Sequence, residues 1–456
     1  MQYSYYGTGV SAGGGLAAQS CSSGTYGLGY PTLNVDPAGK MRQTWADAFG
    51  RLIEVDEPDP STGSLTSGSP ASTCYKYDLL GNLIEVDQGA QSRTFAYDAL
   101  SRLTSETTPE AGIVNYYYTT SGGTLCAGDP KALCRATDAR GITTTLTYDA
   151  ENRLTSKSYS NGEPTVNYYY DQTSYFGPIT NGKGRRTGMS DASGQSAWSY
   201  DANGNLASVV RSTAGQTKTV SYTYSYNGML QSITYPSGLQ VQYGYDAAGR
   251  PISAQCISTA CSNVFFVDNA TYAPQGALAS VVLGCGSWPP CAGGVVASSS
   301  YNNRLQPASA VDRNGSTSLL SYTYSFLNGG MNNGNVISVT NNLVTGRGQS
   351  YTYDFLNRLA TAQSQAMTGS DCWGQSYFYD RYANLMAISV TKCYAPALNL
   401  GIYGTNNQVS GFGYDASGHV LNDGKMAYTW NRGPQHILMC WAGSAEGRMA
   451  TAGAWA

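Results

Sequence analysis

A chain of 456 residues with 37 Tyr, 54 Gly and a charged fraction of 12%, against an ordinary charged share of about 25%, is suited to many short strands joined by tight turns. The net charge of −3 and a longest basic run of Arg185-Arg186 exclude nucleic acid as a partner, because phosphate binding needs clustered Lys and Arg. No apolar run approaches the roughly 20 residues of a membrane helix, and the aromatic content excludes the disordered class.

In chain order, residues 1–44 read as a lead-in segment. Met1-Gln2-Tyr3-Ser4-Tyr5 has no basic region leading into an apolar core and is not a secretory signal; the expectation is a fragment, or an export signal lying upstream. Gly9-Val10-Ser11-Ala12-Gly13 matches a nucleophile elbow, a motif that needs a strand before the Ser, a helix after it and a positioned His. Its flanks are Gly/Ala-rich coil and the chain's two histidines are His419 and His436, so a hydrolase is the remote alternative and no catalytic residue is assigned.

From Trp45 to Trp430 one pattern recurs. Tyr77-Asp78-Leu79-Leu80-Gly81-Asn82-Leu83 is followed by Tyr97-Asp98 with Arg102, Tyr148-Asp149 with Arg153, and Tyr200-Asp201 with Gly204. Further copies are Tyr245-Asp246 with Gly249 and Arg250, Tyr353-Asp354 with Arg358, Tyr379-Asp380, and Tyr414-Asp415 with Gly418. Degenerate copies begin at Trp45, at Tyr226-Asn227 and at Tyr301-Asn302. A second aromatic stands two residues before most Tyr-Asp pairs, as Tyr75, Phe95, Trp198 and Tyr351 do, and period two puts both rings on one face of a strand. Asp opens an Asx-type turn, Gly or Asn three residues on supplies the left-handed conformation, and the following Leu starts the return strand. Each copy is therefore a β-hairpin. Asp carboxylates that recur in every hairpin are turn residues, whereas a catalytic carboxylate pair is unique.

The fold class is all-β: tandem antiparallel hairpins forming a coiled sheet of about 20–25 strands at two per hairpin, since open sheets rarely exceed about ten strands without curling. Gly-, Ser- and Pro-rich inserts interrupt it and carry local cysteine pairs, Cys126 with Cys134, Cys256 with Cys261, Cys285 with Cys291 and, more loosely, Cys372 with Cys393. These read as loop-stapling disulfides of an oxidising compartment; the odd count leaves a free thiol, with Cys440 the candidate. Without a C-x-x-C knuckle no zinc site is expected. Gly177-Pro178-Ile179-Thr180-Asn181-Gly182-Lys183-Gly184 approaches a phosphate-binding loop but lacks the closing Ser/Thr and a following helix, so no cofactor is expected.

The Tyr-Asp-x-x-Gly-Arg-Leu signature resembles the rearrangement-hotspot (Rhs), or YD-repeat, family, over nearly the whole chain. The resemblance implies a spiral β-sheet forming a hollow shell, secreted or at the cell surface, with flanking shell or toxin domains as partners. Family shells often end in an Asp-Pro-x-x-Gly-type motif. Asp36-Pro37-Ala38-Gly39 lies at the opposite end of this chain and belongs to the lead-in. An aromatic-rich wall- or carbohydrate-binding module, with cell-wall glycan as partner, is the alternative reading. Residues 431–456, from Asn431 to Ala456, lose the pattern and read as a non-repeat tail, through truncation, a frame shift or a terminal cap.

Overall fold

The computed structural model describes residues 3–6, 17–259, 261, 264–285, 294–430, 437–441 and 450–452. Nearly everything ordered into elements is strand. The exceptions are one short helix, α1 (Ser23–Tyr26), and a single 3-10 turn at Thr345–Arg347. The sheet opens with β1 (Tyr3–Tyr6), β2 (Tyr30–Val35), β3 (Met41–Ala46), β4 (Leu52–Glu57), β5 (Ala71–Tyr77) and β6 (Leu83–Gln88). From there each strand pairs antiparallel with the next in sequence, through a 31-stranded sheet that ends at Leu398–Asn399. Its first strands, β1 to β3, thus begin inside the lead-in segment. A two-stranded ribbon (Ile402–Tyr403 with Gln408–Val409) and a five-stranded sheet that starts at Gly413–Tyr414 follow. Within the tail, Ile437–Trp441 and Ala450–Ala452 add strands to that last sheet.

The 31 strands exceed the 20–25 expected from the signature, because several hairpins carry inserts that hide the signature in sequence. Tyr170-Asp171 is one: Asp171 N–H donates to the Arg185 carbonyl at 3.1 Å, so residues 172–184, including the stretch resembling a phosphate loop, are an insert inside an ordinary repeat turn. The copy placed at Tyr226-Asn227 also needs correction. The turn there runs from Ser225 to Met229, Tyr224 pairs with Leu230, and Tyr226 projects fully into solvent.

A meander of this length must curl, and its chemistry curls it steadily. The register slips by one residue just before the signature tyrosine in hairpin after hairpin, at Lys76/Tyr77, Ala96/Tyr97, Thr147/Tyr148, Ser199/Tyr200, Gly244/Tyr245, Thr352/Tyr353 and Phe378/Tyr379. A bulge bends its strand and adds twist, so the same bulge at the same place gives the same increment each time. The sheet comes round on itself after roughly three hundred residues. Asn357 meets Asp36 across 321 residues of sequence, and Gln91 meets Asn407 across 316. Among the described residues no ladder joins the first and last strands of the sheet; successive revolutions touch through hairpin ends.

The buried core is thin, as a single layer requires, and concentrates near β3 and β4. Ile53 is 1% exposed, and Gln43 and Glu54 are fully buried. Residues 17–29 lie there as a strap. Ala17 exchanges two 3.0 Å hydrogen bonds with the Gln43 side chain. The Glu54 carboxylate accepts from Ser20 N–H and Cys21 N–H, at 2.8 and 3.0 Å, and from the Ser20 hydroxyl. A Cys21–Cys74 disulfide ties the strap to β5.

Candidate functional site: the repeat turn and its clasp on the neighbouring hairpin

The residues singled out by the signature converge on one local unit, and the Asp98 copy shows it fully. Asp98 N–H donates to the Arg102 carbonyl at 3.0 Å, and Ser101 N–H donates back to the Asp98 carbonyl at 2.9 Å. The Asp98 carboxylate accepts from Leu100 N–H and Arg102 N–H through Oδ1 and from the Arg102 guanidinium through Oδ2. Three donors from two residues are thereby held by one side chain within five residues. The fourth position of the turn takes positive φ: Gly204 at 89°, but also Ser101 at 56° and Asn152 at 62°. The same bonding recurs at Asp78, Asp149, Asp201, Asp246, Asp354 and Asp380. Where Asn replaces Arg, as at Asn82 and Asn205, its amide reaches the same carboxylate oxygen. His419 does so with its ring in the Asp415 copy, at 3.0 Å, and Gly418 closes that turn.

The Arg102 bond, the largest influence, holds the Asp98 carboxyl below the usual carboxylate range, and Asn205 does the same for Asp201. These groups are fully ionised and each is occupied within its own turn. They form no catalytic pair.

The tyrosine and arginine work between hairpins. Tyr77 donates its hydroxyl to the Leu52 carbonyl at 3.0 Å, Tyr148 to Leu133 at 2.7 Å, Tyr245 to Leu230 at 2.7 Å and Tyr353 to Val336 at 2.9 Å. Leu52 and Leu230 each begin the return strand of the preceding hairpin, and Leu133 and Val336 lie two residues before such a strand. An arginine from the preceding turn lies over several of the following tyrosine rings: Arg51 over Tyr77 at 4.9 Å, Arg250 over Tyr272 at 4.7 Å and Arg358 over Tyr379 at 4.8 Å. His419 again substitutes, stacking on Trp430 at 5.2 Å. Burial raises the hydroxyl pKa of Tyr77, Tyr148, Tyr245 and Tyr353, so these groups remain donors. These signature Asp, Arg and Tyr residues thus close their own turn or tie neighbouring hairpins together. The unit can build a wall; it offers no reactive group.

Sequence reasoning missed Tyr118 and set Tyr170-Asp171 aside for want of a following Gly-Arg-Leu, yet both tyrosines make the same clasp, onto Leu103 and Leu154 at 3.0 Å each. Tyr118 carries no following Asp, and an insert separates Tyr170-Asp171 from its Arg. Arg102 over Tyr118 at 4.4 Å and Arg153 over Tyr170 at 4.5 Å complete both. Of the cysteines, Cys126–Cys134, Cys256–Cys261 and Cys372–Cys393 stand as disulfides, with Cα separations of 5.5, 5.9 and 5.7 Å. Cys21–Cys74 joins them without a local sequence signal. Cys291 and the Gly9–Gly13 motif lie outside the described residues, as do the side chains of Cys285 and Cys440. Among the described residues no cluster of His, Cys, Asp and Glu could hold a metal ion, and no helix is long and apolar enough to cross a membrane.

One buried carboxylate stands apart from the turns. Asp56 accepts from Trp45 Nε1 at 2.7 Å and from the Gln43 amide at 3.2 Å. It lines a cavity of about 300 Å³ with Ala17, Ser20, Leu65 and Ala71. Burial first, and the neighbouring Glu54 second, push its pKa up to about 7.

The family model described as "RHS Repeat" matches residues 77–113, 132–164, 181–217 and 224–256. A crystal structure of TcdB2-TccC3 without its hypervariable C-terminal region superposes with a TM-score of 0.75 at 16% identity, over 92% of this chain and 24% of that one. TcdB2-TccC3-Cdc42 gives 0.74 at 16%, over 90% and 23%. A Photorhabdus luminescens Tc holotoxin pore carrying a TccC3 mutation gives 0.74 at 16%, over 91% and 23%. The chain therefore spans about a quarter of the length of these structures, and the likeness is one of fold. No curated protein matches it.

Proposed function

Since the chain belongs to the RHS-repeat family, we propose that it forms part of the wall of a hollow shell that encloses or presents a toxin or interaction domain carried elsewhere. One observation carries this reading. A single-layered sheet of 31 strands winds through more than one revolution and seals to itself at hairpin ends, which is the geometry of a wall around a space. The clasp chemistry supports it, because each copy contributes stiffness to its neighbour and none presents a reactive group. Stability in such an array is a sum of repeat and neighbour terms, so a wall of this kind lengthens without redesign. Flanking shell or toxin domains are the partners this reading requires. The four disulfides among the described residues support secretion or display at the cell surface, where such bonds persist. The role is structural, not enzymatic.

Electron microscopy of the intact gene product tests this. The expected result is a hollow particle with a wall one sheet thick and density inside it that resists protease until the wall is opened. A solid particle, or a protease-sensitive interior, would overturn the reading.

A further inference from the structure

The spiral has two unlike edges. The Asp-turn tips form one, and the opposite hairpin ends form the other. Inside the chain they meet along a seam. The Phe355 ring packs on Gly63, where an added Cβ would come within 2.4 Å of it, and Phe355 N–H donates to the Pro60 carbonyl at 3.1 Å. Arg381 fills the space over Gly89 and donates to the Ser72 carbonyl at 3.2 Å, while the Tyr382 hydroxyl accepts from Ala90 N–H at 3.2 Å. Large tip side chains therefore enter notches that glycines leave on the facing edge.

The same positions in the first revolution also carry large side chains, and these stand largely in solvent, with the Arg51 guanidinium 5.2 Å from the centre of the Phe49 ring. Leu79 is 105% exposed, Phe49 85%, Leu80 67% and Leu100 64%. They occupy three consecutive Asp turns, at Asp47, Asp78 and Asp98, in the same one or two places after the Asp as Phe355 and Tyr382. Several other turns carry small or polar residues there, such as Ala202-Asn203 and Ala247-Ala248, while Tyr226 stands alone in its turn. Large apolar side chains on three consecutive turns mark an interaction surface. On the receiving edge Gly215, Gly238 and Gly315 stand at hairpin ends, as Gly63 and Gly89 do in the seam, and the space beside them is open.

We propose that this tip row is a docking surface for the glycine-notched edge of a second copy of this chain, in a head-to-tail contact that continues the internal seam. The row and the notches lie on opposite edges, so the contact is heterologous and does not close. Such a contact propagates into open stacks. The inference rests on the seam and is independent of what the shell encloses.

Light scattering after size exclusion, across a range of concentrations, tests it with three proteins. The wild-type chain should gain mass with concentration beyond a dimer. Leu79→Asp with Leu80→Asp and Leu100→Asp should remain a monomer with an unchanged circular dichroism spectrum and melting temperature, because the tips touch nothing in the monomer. Thr217→Glu with Ser237→Glu and Ser316→Glu, which charge the receiving edge, should likewise remain a monomer. Mixing the two variants should then give a heterodimer and nothing larger, since each keeps one working edge. A wild-type chain that is monomeric at every concentration overturns the proposal. So does a tip variant that associates as the wild type does, a result that would place association on the unpaired strand edges.

Discussion

Lys40 donates from its ammonium to the carbonyl oxygen of Asp354, 2.6 Å away and 314 residues along the chain. A repeat-turn carbonyl of the second revolution is thus held by a cation on the edge of the first. Around it, Asn333 and Asn357 reach the Asp36 carboxylate from two hairpins at once.

That seam can be opened locally. Gly63 sits at a φ of 75° with the Phe355 ring against it, so Gly63→Val combines an unfavourable backbone with overpacking. The expected cost is about 1–3 kcal/mol, read in thermal unfolding. Amide exchange should quicken at residues 354–358 and leave the Asp201 turn unchanged. Equal acceleration in both places would mean that the seam isn't a local contact.

Inter-hairpin clasps predict a small and uniform cost. Tyr148→Phe removes the hydroxyl donated to Leu133 and keeps the ring, so it should destabilise by about 0.5–1.5 kcal/mol. By contrast Ile53→Ala, at a site 1% exposed, should cost about 2–5 kcal/mol. Denaturant midpoints separate the two, and a larger loss for Tyr148→Phe would contradict the assigned roles.

The disulfides should differ in strength according to the loops they close. In the chain-entropy account, removing Cys21–Cys74, separated by 53 residues, costs about 4 kcal/mol. Removing Cys256–Cys261, separated by 5, costs about 2 kcal/mol in the same account. Non-reducing peptide maps of protein made in an oxidising compartment should recover both pairs. Free thiols at Cys21 and Cys74 would remove the covalent hold on the strap.

Two carboxylate environments predict opposite pH responses. Asp56, raised to about 7 from an unfolded value near 3.9, binds its proton more tightly when folded. Its contribution is complete below about pH 4 and is lost as pH rises through about 7. Asp98 and Asp201, lowered by their turns, contribute fully above about pH 4 and lose that contribution as pH falls further. Asp56→Asn should flatten the decline between about pH 4 and 7 and leave the acid limb intact. Melting temperatures across pH check this, and an unchanged decline would exonerate Asp56.

Residues such as Asp98, Ser101 and Arg102 were legible because their bonding closes within five residues, so the chemistry that makes the turn is adjacent in the chain. Tyr170-Asp171 was only half legible, because its Arg185 lies beyond an insert. At Tyr224 the eye is drawn to Tyr226-Asn227, yet Ser225 supplies the turn hydroxyl, which Met229 N–H reaches at 3.1 Å. Cys21–Cys74 had no local signal, because β2 to β4 intervene between the strap and β5 in the 53 residues that separate the two cysteines.

Local chemistry by itself determined that this chain is a succession of bulged hairpins, each clasped to the last through Tyr and Arg. Every one of those interactions is short in sequence. The tertiary structure alone decided how far the sheet turns before it meets itself, which tips seat in which notches, and that Leu79, Leu80 and Leu100 are left in solvent. Curvature is the accumulated result of many small, nearly equal bends. No single repeat encodes where the accumulated turn brings Asp354 over Lys40.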